Sequence, residues 1–163
     1  MSGGLLARLA QAAALAGLLS ACAGGGAPTE PAPPGAAAIN PACPDLNRWD
    51  ARRLYGAWEV ELPELGQRGH LLLRQHPEFS ASLRGEFDYG GAHSIASGDL
   101  EDGELNLDES RDGKSLHAFW TGRLVPAACG REIRGTWQRL AREGVPAAES
   151  TFVLRRANSG HGW

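Results

Sequence analysis

The sequence predicts an all-β domain: an eight-stranded antiparallel up-and-down barrel entered through a short helical turn. Three observations predict it. Between residues 42 and 157, apolar and polar side chains alternate with period two in eight short runs. Tight-turn signals separate several of the runs, Asp102-Gly103 and Asp112-Gly113 among them, and both dipeptides favour positive backbone φ. Glycines fall inside the runs at Gly85, Gly98, Gly122 and Gly135, where the bends of a small barrel call for them. An open meander of this length would leave two unpaired edges, and closure removes both. A two-sheet sandwich is the alternative.

At the N-terminus Arg8 precedes an apolar run, Leu9 to Leu19, made almost wholly of Ala and Leu. The run is well short of the roughly 18 apolar residues a spanning helix needs and has the length of a signal peptide. It ends in Leu19-Ser20-Ala21-Cys22, in which small residues admit a peptidase and the thiol of Cys22 can carry a diacylglycerol. These residues resemble the lipobox of bacterial lipoproteins. The resemblance implies that residues 1–21 are removed and that Cys22 becomes an acylated N-terminus, palmitate included, which holds the protein at a membrane by lipid. Ala23 is not the Asp of the inner-membrane retention signal, so the implied destination is the outer membrane, with the domain facing the periplasm. Residues 22–41 follow as a linker with five prolines and four glycines after Cys22. Its coil-like reach is about 25 Å.

The domain is expected at 42–157, with a disordered tail at 158–163. Pro44-Asp45, then Leu46, Trp49, Leu54 and Tyr55, reads as a capped helical turn. Trp58, Val60 and Leu62 alternate with Glu59 and Glu61 in the first strand, and Leu71 and Leu73 mark the second. Leu83, Gly85, Phe87 and Tyr89 give the third, the cleanest alternation in the chain. The fourth, Ser94 to Leu100, is polar; Leu105 and Leu107 form the fifth. Leu116, Ala118, Trp120, Gly122 and Leu124 share the inner face of the sixth, opposite His117, Phe119, Thr121 and Arg123. Ile133, Gly135 and Trp137 make the seventh, and a loop over 142–149 leads to the eighth at Phe152 and Leu154.

Composition excludes several classes. The formal charge is −3, from 16 basic and 19 acidic residues, and no basic run exceeds Arg155-Arg156, so nucleic acid is not an expected partner. Asp108-Glu109-Ser110-Arg111-Asp112-Gly113 starts like a calcium loop, but the twelfth position is Phe119 rather than an acid, and the stretch reads as a polar hairpin. The five histidines share no metal spacing, and His70 and His76 are placed on the outer face of the second strand. Ser115 and His117 share a strand face without a third partner. No cofactor, metal or catalytic set is expected, and the chain reads as a monomeric non-enzyme. With Cys22 lipidated, Cys43 and Cys129 remain as one pair for an oxidising periplasm. Closing that loop of about 86 residues stabilises by about 4 to 5 kcal/mol in the chain-entropy account. Two separate thiols are the alternative.

Gly56-Ala57-Trp58 after a helical turn, the eight-strand meander and the terminal Arg155-Arg156 together resemble the calycins, the broad class of lipocalin-like and avidin-like barrels. The resemblance implies that Trp58 closes the barrel floor and that Arg156 packs across it. The inward aromatics Trp58, Phe87, Tyr89, Trp120 and Trp137 then either fill the barrel or line a cavity for a small apolar ligand. Strand shortness favours filling. Small lipid-anchored barrels of the bacterial metalloprotease-inhibitor and lysozyme-inhibitor families are similar in size and layout, so an envelope-protein partner is the alternative function.

Overall fold

The structure, a computed structural model, describes residues 42–158. The expected signal peptide, Cys22 and the whole of the expected linker lie outside the described residues. Eight strands form a closed antiparallel barrel in simple chain order: β1 (Gly56–Leu62), β2 (Gln67–Gln75), β3 (Leu83–Tyr89), β4 (Ala92–Glu101), β5 (Glu104–Ser110), β6 (Leu116–Leu124), β7 (Glu132–Arg139) and β8 (Ala148–Arg156). Closure is made by β1 against β8, with Trp58 opposite Arg156 and Val60 opposite Leu154. The predicted fold class is therefore observed. Its helical component is confined to single 3₁₀ turns, of which Leu46–Arg48 and Ala51–Leu54 precede β1.

Alternation produces the core directly, because successive side chains of a strand point to opposite faces. Trp58, Val60 and Leu62 of β1, Leu71 and Leu73 of β2, and Leu83, Phe87 and Tyr89 of β3 are all buried, while Glu59 and Asp88 are exposed. The polar fourth run is the longest strand, ten residues, since the ladders to β3 and β5 supply its hydrogen bonds whatever its side chains. Gly122 and Gly135 face one another across β6 and β7 for a steric reason. A Cβ on Gly122 would lie 2.6 Å from Cζ of Phe152, so the missing side chain is what lets that ring enter the interior. Asp102 and Gly103 take positive φ, 48° and 74°, in the two-residue turn between β4 and β5.

One end of the barrel is sealed by the segment before β1. Asp45 and Asp50 cap the two 3₁₀ turns by accepting from the backbone N–H of Asn47 and Arg52 at 3.1 and 3.0 Å. The turns bring Leu46, Ala51 and Leu54 into the core. Trp58 Nε1 donates to the Leu54 carbonyl at 2.9 Å, and the Arg156 guanidinium lies 4.6 Å over the Trp58 ring. Arg156 also donates to the carbonyls of Tyr55 and Arg53. Burial, then the charge of Arg131, lowers its pKa, and the ring and the two carbonyls surround the charge that water would otherwise solvate. Cys43 and Cys129 are joined in a disulfide that ties the segment before the first turn to the loop between β6 and β7. Thiol titration of the denatured, unreduced protein lacking Cys22 is expected to find no free cysteine; two free thiols per chain would remove the bridge.

Four details differ from expectation. His117 is buried, 7% exposed, rather than outward. Glu109 pairs with Ala118 while Ser110 pairs with Leu116, so His117 is the extra residue of a β-bulge and turns inward beside Ala118. Ser115 lies in the loop before β6 and so shares no face with it. His76 sits just beyond β2, where its Nδ1 accepts from the N–H of Glu78 and Phe79 and organises the turn. At the end of the chain β8 begins inside the expected loop, at Ala148, and Ala157 donates its N–H to Ala57 at 3.0 Å.

Candidate functional site

The feature that the alternation conceals is Glu109. It continues the inward phase of Leu105 and Leu107 on β5 and is wholly buried, 0% exposed. A carboxylate cannot sit in an apolar interior without partners. Four side chains from four strands provide them. Tyr89 Oη on β3 donates to Oε2 at 2.8 Å and lies 3.0 Å from Oε1. Ser94 Oγ on β4 donates to Oε1 at 2.7 Å, and Trp120 Nε1 on β6 donates to Oε2 at 2.8 Å. Trp137 Nε1 on β7 completes the set at 3.3 Å from Oε2. Burial, then the charge of Glu109, pushes the Tyr89 phenol far above its ordinary pKa, which keeps it a donor to the carboxylate at every physiological pH.

Beneath this polar centre the interior is aromatic. Trp120 is stacked on Phe87 with ring centroids 4.5 Å apart and meets Tyr89 and Trp137 edge-on at 5.6 and 6.4 Å. Phe152 adds a tilted contact at 5.1 Å. Of the residues expected to line the barrel, Phe87, Tyr89, Trp120 and Trp137 thus form one cluster, whereas Trp58 belongs to the sealed end with Arg156. The middle of the barrel is occupied by its own side chains.

The end opposite the seal carries the remaining chemistry. Leu62–Gly66 connects β1 to β2 there through the 3₁₀ turn Pro63–Leu65, and Glu64 from that turn reaches β8. Its carboxylate accepts from Ser150 Oγ at 2.6 Å and from the N–H and Oγ1 of Thr151 at 2.9 and 2.8 Å. The Ser150 hydroxyl, then the Thr151 hydroxyl, hold the Glu64 pKa down to about 2. A carboxylate with a depressed folded pKa stabilises above its unfolded value and loses that contribution as pH falls through the folded value. Wild type is therefore expected to lose stability relative to Glu64→Gln between about pH 4.5 and pH 2, read as the difference of urea midpoints. A constant difference across that range would separate Glu64 from the acid response.

The loop 111–115 is organised in the same way by Asp112. It accepts from the N–H of Ser115 and Lys114 at 2.7 and 2.8 Å and from the hydroxyls of Ser115 and Ser110 at 2.9 and 3.1 Å. Those bonds, the Ser115 N–H first, lower its pKa well below the usual carboxylate range. The calcium-loop pattern is dissolved by the fold, since Asp108 is exposed on the outer face while Glu109 is bonded inside. No group of three or more potential metal ligands occurs among the described residues.

Depressions among the described residues include one of about 650 Å³ at the sealed end, lined by Asn47, Arg48 and Asp102 among others, and two on the outer wall. Of the two on the wall, one of about 420 Å³ runs between β1, β2 and β8, where Glu61 is held between Arg68 and Arg155, both at 2.9 Å. The other, about 190 Å³, is bounded by Ala57, His70, Leu72 and Glu86. The first of these two is crossed by ion pairs that already satisfy one another, whereas Glu109 is a buried carboxylate enclosed by donors from four strands.

Fold and site together define a small closed β-barrel with a hydrogen-bonded carboxylate buried in its interior. Compared with the models of known protein families, with curated proteins and with solved structures, the chain matches none of them.

Proposed function

We propose that the protein is a lipid-anchored lipoprotein of the bacterial envelope, attached through Cys22 at the periplasmic face of the outer membrane, whose barrel binds a small molecule at the end bearing Glu109, Tyr89, Ser94 and His117. The observation that carries the binding reading is the buried carboxylate. A barrel serving only as a spacer is as stable or more so with apolar side chains at such a position, since a buried ion recovers its desolvation only through well-made bonds. Here donors from four strands converge on it instead. Trp120 and its four aromatic neighbours fill the middle. An apolar portion of the ligand therefore rests on the rim, against the half-buried Leu65, rather than deep inside. The Trp58–Arg156 packing at the sealed end supports the calycin-like character of the domain.

Native mass spectrometry of the full chain, purified from its own host in a neutral detergent, tests this reading. A non-covalent adduct lost on Tyr89→Phe is expected, and a bare lipidated mass under the same conditions counts against it. Labelled palmitate should be incorporated by wild type and not by Cys22→Ala. The second reading, an inhibitor of an envelope hydrolase, is favoured by the 111–115 loop. Its Asp112 bonds give it the preformed shape that lets a projecting loop dock with little loss of entropy. Capture of a single periplasmic hydrolase by wild type but not by Asp112→Ala would favour it.

A further inference from the structure

Among the described residues, two polar atoms at the far end of the barrel are buried with no hydrogen-bond partner: Nε2 of His117 and Nε of Arg139. Such groups are uncommon in folded proteins, because an unpaired buried donor forfeits its water without recompense. Their positions are related. Arg139 stands opposite Ala118, the residue next to His117, and the bulge turns His117 to the inner face. The Arg139 guanidinium packs 6.0 Å over the Trp137 ring and donates through Nη2 to the Pro146 carbonyl, which fixes its plane and leaves Nε–H unused. Leu140 donates to the His117 carbonyl at 3.0 Å, and Arg142 donates to the carbonyl of Leu116, so the chain after β7 folds back over the start of β6 and brings a second guanidinium with it. Arg111, one residue beyond β5, adds a third positive charge within electrostatic reach of His117.

The chemistry of the missing partner follows from the donor set. Arg Nε–H can only donate, and the His117 ring donates from Nε2 when that nitrogen carries the proton. An acceptor with several lone pairs satisfies both at once, and a negative charge on it is favoured by Arg111, Arg139 and Arg142. The acids nearby are already engaged. Glu109 is enclosed by its four donors, Glu64 by Ser150 and Thr151, and Asp112 by its own loop. Glu149 accepts from Gln138 on the outer face.

We propose that this end of the barrel holds a small oxyanion, the carboxylate or phosphate group of a ligand, between His117 Nε2 and Arg139 Nε, with Arg111 and Arg142 supplying charge from the rim. The proposal rests on the small-molecule reading of the same end and names the part of the ligand recognised there. Burial lowers the His117 pKa, so the neutral imidazole contributes a hydrogen bond and the arginines contribute the charge. Trp137, beneath Arg139 and bonded to Glu109, links the rim to the buried carboxylate.

The test uses the full chain in a neutral glycoside detergent, with ¹⁵N-labelled indole and imidazole resonances followed while inorganic phosphate or butyrate is added at constant ionic strength set with chloride. Saturable shifts of the Trp137 indole and the His117 ring are expected with one of the two anions, and the responding anion identifies the group. Arg139→Gln should weaken that binding about tenfold, or about 1.4 kcal/mol, as expected for loss of a charge-assisted bond. Arg134→Gln, on the outer face of the same strand, should leave it unchanged. If Arg139→Gln fails to fold, Arg142→Gln, exposed on the rim, should still weaken binding measurably. Absence of saturation with both anions, or equal binding by wild type and both rim variants, means that the two atoms are served by water only and overturns the proposal. A neutral adduct in native mass spectrometry alongside that result would preserve the binding function and remove the oxyanion. Saturable, Arg139-dependent shifts without any retained adduct would support the oxyanion site and show that the ligand is exchanged during purification.

Discussion

Glu109→Leu is expected to destabilise the barrel by about 3 to 5 kcal/mol, although the substitution replaces a charged residue by an apolar one in a hydrophobic interior. The usual intuition fails because the partners stay behind. Tyr89 Oη, Ser94 Oγ and the indole N–H groups of Trp120 and Trp137 all aim at the carboxylate, and removing it strands four donors where water does not reach. Glu109→Gln keeps one carbonyl acceptor but turns an NH₂ toward donors, so a smaller loss of about 1 to 3 kcal/mol is expected. Tyr89→Phe removes one donor and leaves three, with an expected loss of about 1 to 2 kcal/mol. Urea denaturation at neutral pH measures all three. The order Leu greater than Gln is the diagnostic, and a Glu109→Leu variant as stable as wild type would mean that the carboxylate is not held inside.

How much of this was legible in the sequence depends on which force sets each side chain. Where one face is buried and one wet, the pattern is written in residue type, and β1 and β3 were readable residue by residue: Trp58, Val60, Leu83, Phe87 and Tyr89 inward, Glu59 and Asp88 outward. Glu109 was not readable in that way. Its acidic neighbours Asp108, Asp112, Glu101 and Glu104 make the stretch resemble a solvated hairpin, and burial of a carboxylate is decided by donors that are distant in sequence. The available signal was phase: Leu105, Leu107 and Glu109 are spaced by two, and Tyr89 and Ser94 sit inward on neighbouring strands with hydroxyls to offer. His117 lay beyond reach for a different reason. A bulge places two consecutive residues, His117 and Ala118, on the same face, so a strict period of two assigns one of them wrongly. Arg139 lies in phase with Trp137 but reads as a strand-terminal surface arginine until the register sets it beside the bulge.

The sealed end supplies the second large effect. Trp58→Ala is expected to cost about 3 to 5 kcal/mol, against less than about 0.5 kcal/mol for Glu59→Ala one residue away. Trp58 is fully buried, so truncation opens a cavity under Leu46 and Leu54, and it also removes the donor to the Leu54 carbonyl that holds the second 3₁₀ turn against the barrel. Arg156 is affected in turn. Its guanidinium loses the ring face beneath it while remaining bonded to the carbonyls of Tyr55 and Arg53, which leaves a half-buried charge with fewer compensating contacts. A Trp58→Ala/Arg156→Ala pair should therefore destabilise by less than the sum of the single changes, since the residues are in contact. Glu59 points to water on the same strand and forms no ion pair among the described residues, so its removal reports only the exposed face. Equal and small effects at both positions would place β1 in the opposite phase, and strict additivity of the pair would separate Arg156 from the closure of the barrel floor.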